Sequence, residues 1–66
     1  MNKKEIHYEI ATSLEKLEEI YRHIDNAMAL AASDSFLQDT LHVAQRNLST
    51  SLMKLRVASD LTETVQ

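Results

Sequence analysis

The stretch Ala32-Ser33-Asp34-Ser35 decides the fold of this chain, because the spacing of the apolar residues changes phase across it. Ser and Asp favour turns and helix starts, since their side chains hydrogen-bond to nearby backbone groups. Ser35, followed three residues later by Gln38, matches the capping-box pattern that opens a helix. The stretch therefore predicts a turn at residues 33–35 between two helices.

On both sides of this turn, apolar residues recur every three or four positions, the spacing of one side of a helix. Before it they are Ile6, Ile10, Leu14, Leu17, Tyr21, Ile24, Met28 and Ala31. After it they are Leu37, Leu41, Ala44, Leu48, Ser51 or Leu52, Leu55 and Ala58. We predict helix 1 over about residues 3–32, helix 2 over about 36–60, and a frayed tail over 61–66, where the periodicity is lost.

The predicted fold class is all-α: a single domain, residues 1–66, that forms an antiparallel two-helix hairpin. A chain of 66 residues is too short for two domains. It contains no Gly, Pro or Cys. The lack of Gly argues against the turns and phosphate-binding loops of most enzymes, and the lack of Cys excludes disulfides and thiolate metal sites.

A second apolar row predicts self-association. Phe36, Val43 and Val57 lie seven or fourteen residues apart on a line that the contact between the helices does not use, and Ile20 widens the apolar side of helix 1. A scaffold of fewer than about 70 residues has a thin core. We expect a helical-bundle homo-oligomer with these four residues at its interface; the alternative is that they broaden the core of one hairpin.

The sequence predicts neither catalysis nor a cofactor. No acid, base and nucleophile form a legible constellation, so we expect a non-enzymatic protein without catalytic residues. The histidines His7, His23 and His42 lack the partners of a helical metal site, and no metal is expected. With no run of eighteen apolar residues and no secretory leader, we expect no membrane contact and a cytoplasmic location.

Helix 2 concentrates positive charge in a chain of net charge −3, with three basic residues against Asp39 between positions 36 and 58. Arg46, Thr50 and Lys54 follow one another at four-residue steps, and Ser49 flanks them. Such a row could converge on an anion, although it is also typical of a solvated helix face.

Nucleic acid is a less suitable ligand, because the net charge is negative and we do not expect duplex binding. Binding of RNA by a hairpin dimer stays open. Tyr8, near the start of helix 1, is the aromatic residue most free to stack on a base.

Residues 46–58 read R-x-L-S-x-x-L-x-K-L-x-x-A. This segment resembles the second helix of the small hairpin proteins that phages use as anti-CBASS sponges, which sequester cyclic oligonucleotide signals. The resemblance implies an oligomer in the host cytoplasm that binds a cyclic di- or trinucleotide. It also implies that Arg46 and Thr50 hold the ligand's phosphates, with Ser49 as a neighbour. By analogy alone, Tyr8 and Lys16 would serve a second pocket of the cyclic-dinucleotide type.

A function of another class is a helical adaptor, chaperone or inhibitor. In that case the row of Phe36, Val43 and Val57 docks onto a helix of a partner protein.

Overall fold

A computed structural model of the chain describes residues 2–63, which form two helices. Helix α1 spans Lys3–Leu30 and helix α2 spans Ser35–Glu63. They pack side by side in opposite directions along their whole length, so the predicted all-α hairpin is confirmed. The molecule is 51 Å long and 15 Å across in each other direction.

The helix bounds differ from the prediction at three places. Helix α1 ends at Leu30 instead of residue 32, and the turn covers residues 31–34 instead of 33–35. Helix α2 continues to Glu63, so residues 61–63 of the predicted frayed tail are helical, while residues 64–66 lie outside the described residues.

A hydrogen bond at the open end accounts for the longer second helix. His7 Nδ1 lies 2.8 Å from Thr62 Oγ1. The Thr62 hydroxyl is also within hydrogen-bond distance of the carbonyl oxygens of Ala58 and Ser59, and the tautomer of His7 sets which group donates in the bond between the helices. This contact holds the last turn of α2 against α1.

The cap of α2 is Asp34, so the predicted capping box of Ser35 and Gln38 is wrong. Asp34 Oδ1 accepts a hydrogen bond of 3.0 Å from the backbone N–H of Leu37. The Gln38 side chain instead donates to the Met28 carbonyl oxygen at 3.1 Å. Since Met28 is among the last four residues of α1, this bond satisfies a carbonyl that the helix itself leaves without a partner.

The turn needs no glycine. No residue among positions 2–63 has a positive φ, and Ala31 ends α1 at φ −94° and ψ 24°. The Asp34 N–H donates to the Ala31 carbonyl oxygen at 3.0 Å, which closes the turn. A chain without Gly can therefore reverse here without backbone strain.

The core between the helices is thin. Leu52 is the one buried apolar residue among those described, at 6% exposure, while Leu41, Leu48 and Leu55 are half-buried beside it. The apolar residues predicted for the inner side of α1 are likewise half-buried. A single hairpin therefore removes little apolar surface from water.

Two glutamines occupy inward positions that the sequence assigned to Leu37 and Ala44. Leu37 and Ala44 are exposed, whereas Gln38 is half-buried and Gln45 is buried at 7% exposure. Gln45 Nε2 donates to Asp25 Oδ1 at 2.6 Å and to the Tyr21 carbonyl oxygen at 3.5 Å. A buried amide is tolerated when it is hydrogen-bonded, and these bonds join α2 to α1.

Candidate binding surfaces

Three of the predicted ligand residues lie together on the exposed side of α2. Arg46, Thr50 and Lys54 are all exposed and follow one another at single helical turns. Thr50 Oγ1 donates to the Arg46 carbonyl oxygen at 3.3 Å, so its hydrogen is directed into its own helix. Within residues 2–63, neither Arg46 nor Lys54 lies within ion-pair distance of a carboxylate.

Ser49 is placed elsewhere. It is half-buried in a cleft between the two helices that has a volume of about 320 Å³. The described lining is Glu18, Tyr21, Arg22, Ser49, Leu52 and Arg56. Arg56 Nη2 lies 3.8 Å from Glu18 Oε1, and both side chains are about half exposed, so this ion pair adds little stability.

The sequence did not single out Arg22 and Arg56 as companions of Ser49. The spacing of seven residues between Ser49 and Arg56 shows that they share one line of α2. The contribution of α1 depends on how far the two helices slide past each other, which is set by contacts such as that of Gln45 with Asp25.

Tyr8 lies far from the basic row. Its side chain is exposed near the open end, beside a shallow concavity of about 600 Å³ lined by the first turns of α1. Gln45 contacts Tyr21 and Asp25, so Arg46 is level with about Arg22 on α1. At 1.5 Å per residue, Tyr8 and Arg46 are separated by about 21 Å along the hairpin. One chain therefore does not bring them to one small ligand.

The most extensive feature is the side of α2 turned away from α1, which we call the outer face. It is formed by three lines of residues that repeat every seven positions. They are Phe36, Val43, Thr50 and Val57; Leu37, Ala44, Ser51 and Ala58; and Thr40, Asn47, Lys54 and Leu61. Lys54 is the one charged residue on these three lines. A fourth exposed line, formed by Asp39, Arg46, Met53 and Asp60, borders them and carries three charges.

Large apolar side chains of the outer face are in contact with solvent. Phe36 is 82% exposed, Val57 56% and Val43 50%. These are three of the four predicted interface residues. The fourth, Ile20, is also exposed but lies on α1. The exposed part of α1 carries mostly charged or polar residues, including Glu5, Glu9, Glu15, Lys16, Glu19 and Arg22.

Two further classes of site were sought among residues 2–63. No three His, Asp or Glu side chains lie close enough together to hold a metal ion. Neither α1 nor α2 is long and apolar enough to cross a membrane.

The fold and its surfaces define the chain as an all-helical hairpin that exposes more charged residues on α1 than on α2. Comparison with protein-family models, with curated proteins and with solved structures finds no match to this chain.

Proposed function

We propose that the chain is a non-enzymatic binding protein that works as an oligomer of helical hairpins. The observation that supports this most is the outer face of α2, where Phe36, Val43 and Val57 are each at least half exposed. Exposed large apolar residues aligned on one helix face are typical of a site of protein–protein contact. The thin core adds a second reason, since covering the outer face supplies burial that Leu52 alone does not.

The oligomer is tested by measuring molar mass with light scattering after size exclusion, for the native chain and two variants. We expect a dimer or larger for the native chain and a monomer for Val43→Asp, because association would bury the new carboxylate in an apolar contact. Tyr8→Asp is the control, since Tyr8 is also a large exposed residue but lies on α1, away from the outer face. A monomeric native chain, or a Val43→Asp variant of native mass, would contradict the proposal.

A second candidate function is the sequestration of a cyclic di- or trinucleotide. The observation in its favour is that residues 40–59 contain Arg46, Lys54 and Arg56 and no Asp or Glu. Arg46 and Lys54 are exposed, and a guanidinium is suited to phosphate binding. Sequestration requires affinity and abundance, and it needs no catalytic residues.

The test of this candidate is thermal unfolding with a panel of cyclic di- and trinucleotides, since a ligand that binds the folded state raises the midpoint. Arg46→Ala should remove the shift, and Lys3→Ala, at the start of α1, should leave it intact. No shift with any member of the panel, from a well-folded oligomer, would discard this candidate.

The same experiments distinguish a helical adaptor from a homo-oligomer and from a protein that sequesters cyclic nucleotides. An adaptor stays monomeric and weakly helical until a partner protein is added. Its binding is lost in Val43→Asp, which removes an apolar contact, and is little changed in Arg46→Ala.

A further inference from the structure

We infer that the outer face of α2 is covered by the α2 helix of a second copy of this chain, running in the opposite direction. This contact rests on the proposed oligomer and specifies which helices meet and in which direction they run.

The outer face repeats the spacing by which helices pack on one another. Its central residues are Phe36, Thr40, Val43, Asn47, Thr50, Lys54, Val57 and Leu61, which alternate in steps of four and three. The inward side of α2 uses the same alternation through Leu48, Leu52 and Leu55. Alternating steps of four and three place side chains along the seam between two helices, so a helix is the shape that fits.

The pattern complements itself when two copies of α2 run antiparallel. With the two-fold axis passing between Asn47 and Thr50, each central residue of one copy faces a central residue of the other. The facing pairs are Phe36 with Leu61, Thr40 with Val57, Val43 with Lys54, and Asn47 with Thr50. The large apolar residues meet at the two ends, and the amide and hydroxyl that can hydrogen-bond meet in the middle.

Lys54 decides between the two possible directions. In a parallel pair, the Lys54 ammonium groups of both copies meet inside the contact, where two like charges lose hydration without a counterion. In the antiparallel pair, each Lys54 faces Val43 and is about 16 Å along the axis from its counterpart. A single Lys in a helical seam is a known means of fixing register, at a cost in stability.

The flanks of the contact are compatible with this direction. On one flank Leu37 faces Ala58 and Ala44 faces Ser51, so small side chains let the helices approach closely. On the other flank Asp39 of one copy comes near Asp60 of the second. Both are exposed at the rim, where water and salt weaken their repulsion far more than they would for a pair of Lys54 side chains in the seam.

The area is sufficient for a stable pair. The hairpin is 51 Å long and 15 Å across. The seam from Phe36 to Leu61 is about 38 Å long at 1.5 Å per residue. A second helix along it covers about 560 Å² per copy, or about 1,100 Å² in total, which is above the roughly 1,000 Å² that a specific interface needs. The outward side of α1 offers no comparable contact because charged residues interrupt it throughout.

Disulfide formation tests the direction, because the chain has no cysteine of its own. Two single variants of the full chain, Thr40→Cys and Val57→Cys, are oxidised separately and as an equal mixture, and the products are identified by mass. In the antiparallel pair Thr40 faces Val57 of the second copy, whereas Thr40 is about 25 Å along the axis from its own counterpart. A disulfide needs Cα atoms within about 7 Å. We therefore expect the mixed disulfide to dominate, with little cross-linking of either variant alone.

Each other outcome has a distinct meaning. Cross-linking of each variant with itself would show a parallel pair and overturn the inference. A dimeric mass with no disulfide in any sample, from variants with native helix content, would place the contact on another face and overturn it as well. A monomeric mass of the unsubstituted chain would instead contradict the proposed oligomer, so the two failures are distinguishable.

Discussion

The outward sides of the two helices differ more than any other regions of the molecule. Between Glu5 and Arg22, α1 exposes seven charged residues, which is typical of a helix with one apolar side. The outer face of α2 carries Lys54 as its one charge, and the charges of Asp39, Arg46 and Asp60 lie along one border of it. Helix α1 is thus built to face solvent, and α2 has the pattern of a helix with neighbours on two sides.

This difference between the two helices shows which apolar surface a single hairpin leaves exposed. Helix α1 packs its inward apolar residues against α2, and its exposed apolar residues Tyr8, Ile20 and Leu30 are separated by charged ones. Helix α2 places Leu52 against α1 and leaves Phe36, Val43 and Val57 exposed on its other side. The two sides of α2 are therefore separable by substitution: one should govern the stability of the hairpin and the other its association.

The largest expected effect is on the inward side. Leu52→Ala should lower the free energy of unfolding by about 2–5 kcal/mol, since it removes a buried Leu side chain and leaves a cavity. Met53→Ala, one residue along on an exposed position, should change it by less than about 0.5 kcal/mol. Urea unfolding monitored by circular dichroism measures both. Equal effects would mean that the contact between α1 and α2 does not carry the stability of the hairpin.

A smaller effect is expected on association through the outer face. Lys54→Met removes the one charge of the outer face and keeps a flexible side chain of similar length. Since a partly buried ammonium opposes association, we expect the dimer dissociation constant to fall about tenfold, which corresponds to about 1.4 kcal/mol. Sedimentation equilibrium provides the measurement.

The same substitution should relax the choice of direction. Without Lys54, a parallel pair no longer brings two ammonium groups together. In the Lys54→Met background, Thr40→Cys should then cross-link with itself as well as with Val57→Cys. An unchanged cross-linking pattern would mean that Lys54 does not set the direction.

The sequence predicts both helices and the turn, but it assigns two inward positions to the wrong residues. The apolar steps of four and three gave both helices and the position of the turn to within two residues. The same alternation, followed back from Leu55 through Leu52 and Leu48, reaches Gln45 and Gln38. The prediction placed Leu37 and Ala44 inward instead, because they are apolar. The hydrogen-bond partners that allow the two glutamine amides to be inward lie on α1, about ten or more residues away in sequence.

The candidate ligand-binding residues were harder to predict for a related reason. Steps of four residues place Arg46, Thr50 and Lys54 on one side of α2 without reference to any other element. Ser49 is adjacent in sequence, yet it is turned by about 100° into the cleft with Arg22 and Tyr21 of α1. Which residues of α1 meet Ser49 depends on the relative shift of the two helices, and single-helix periodicity carries no information about that shift.

The smallest expected effect concerns the start of α2, which sets which residues face inward. Asp34→Ala should lower the free energy of unfolding by about 1 kcal/mol, because the N–H of Leu37 loses its capping carboxylate. Ser35→Ala tests the cap that the sequence favoured, and it should change stability by less than about 0.5 kcal/mol, since Ser35 is already the first helical residue. Both are measured by urea unfolding under identical conditions. If Ser35→Ala is the more destabilising of the two, α2 begins one residue later than Ser35. The residues assigned to the inward and outward sides of α2 would then have to be reassigned from that residue onward.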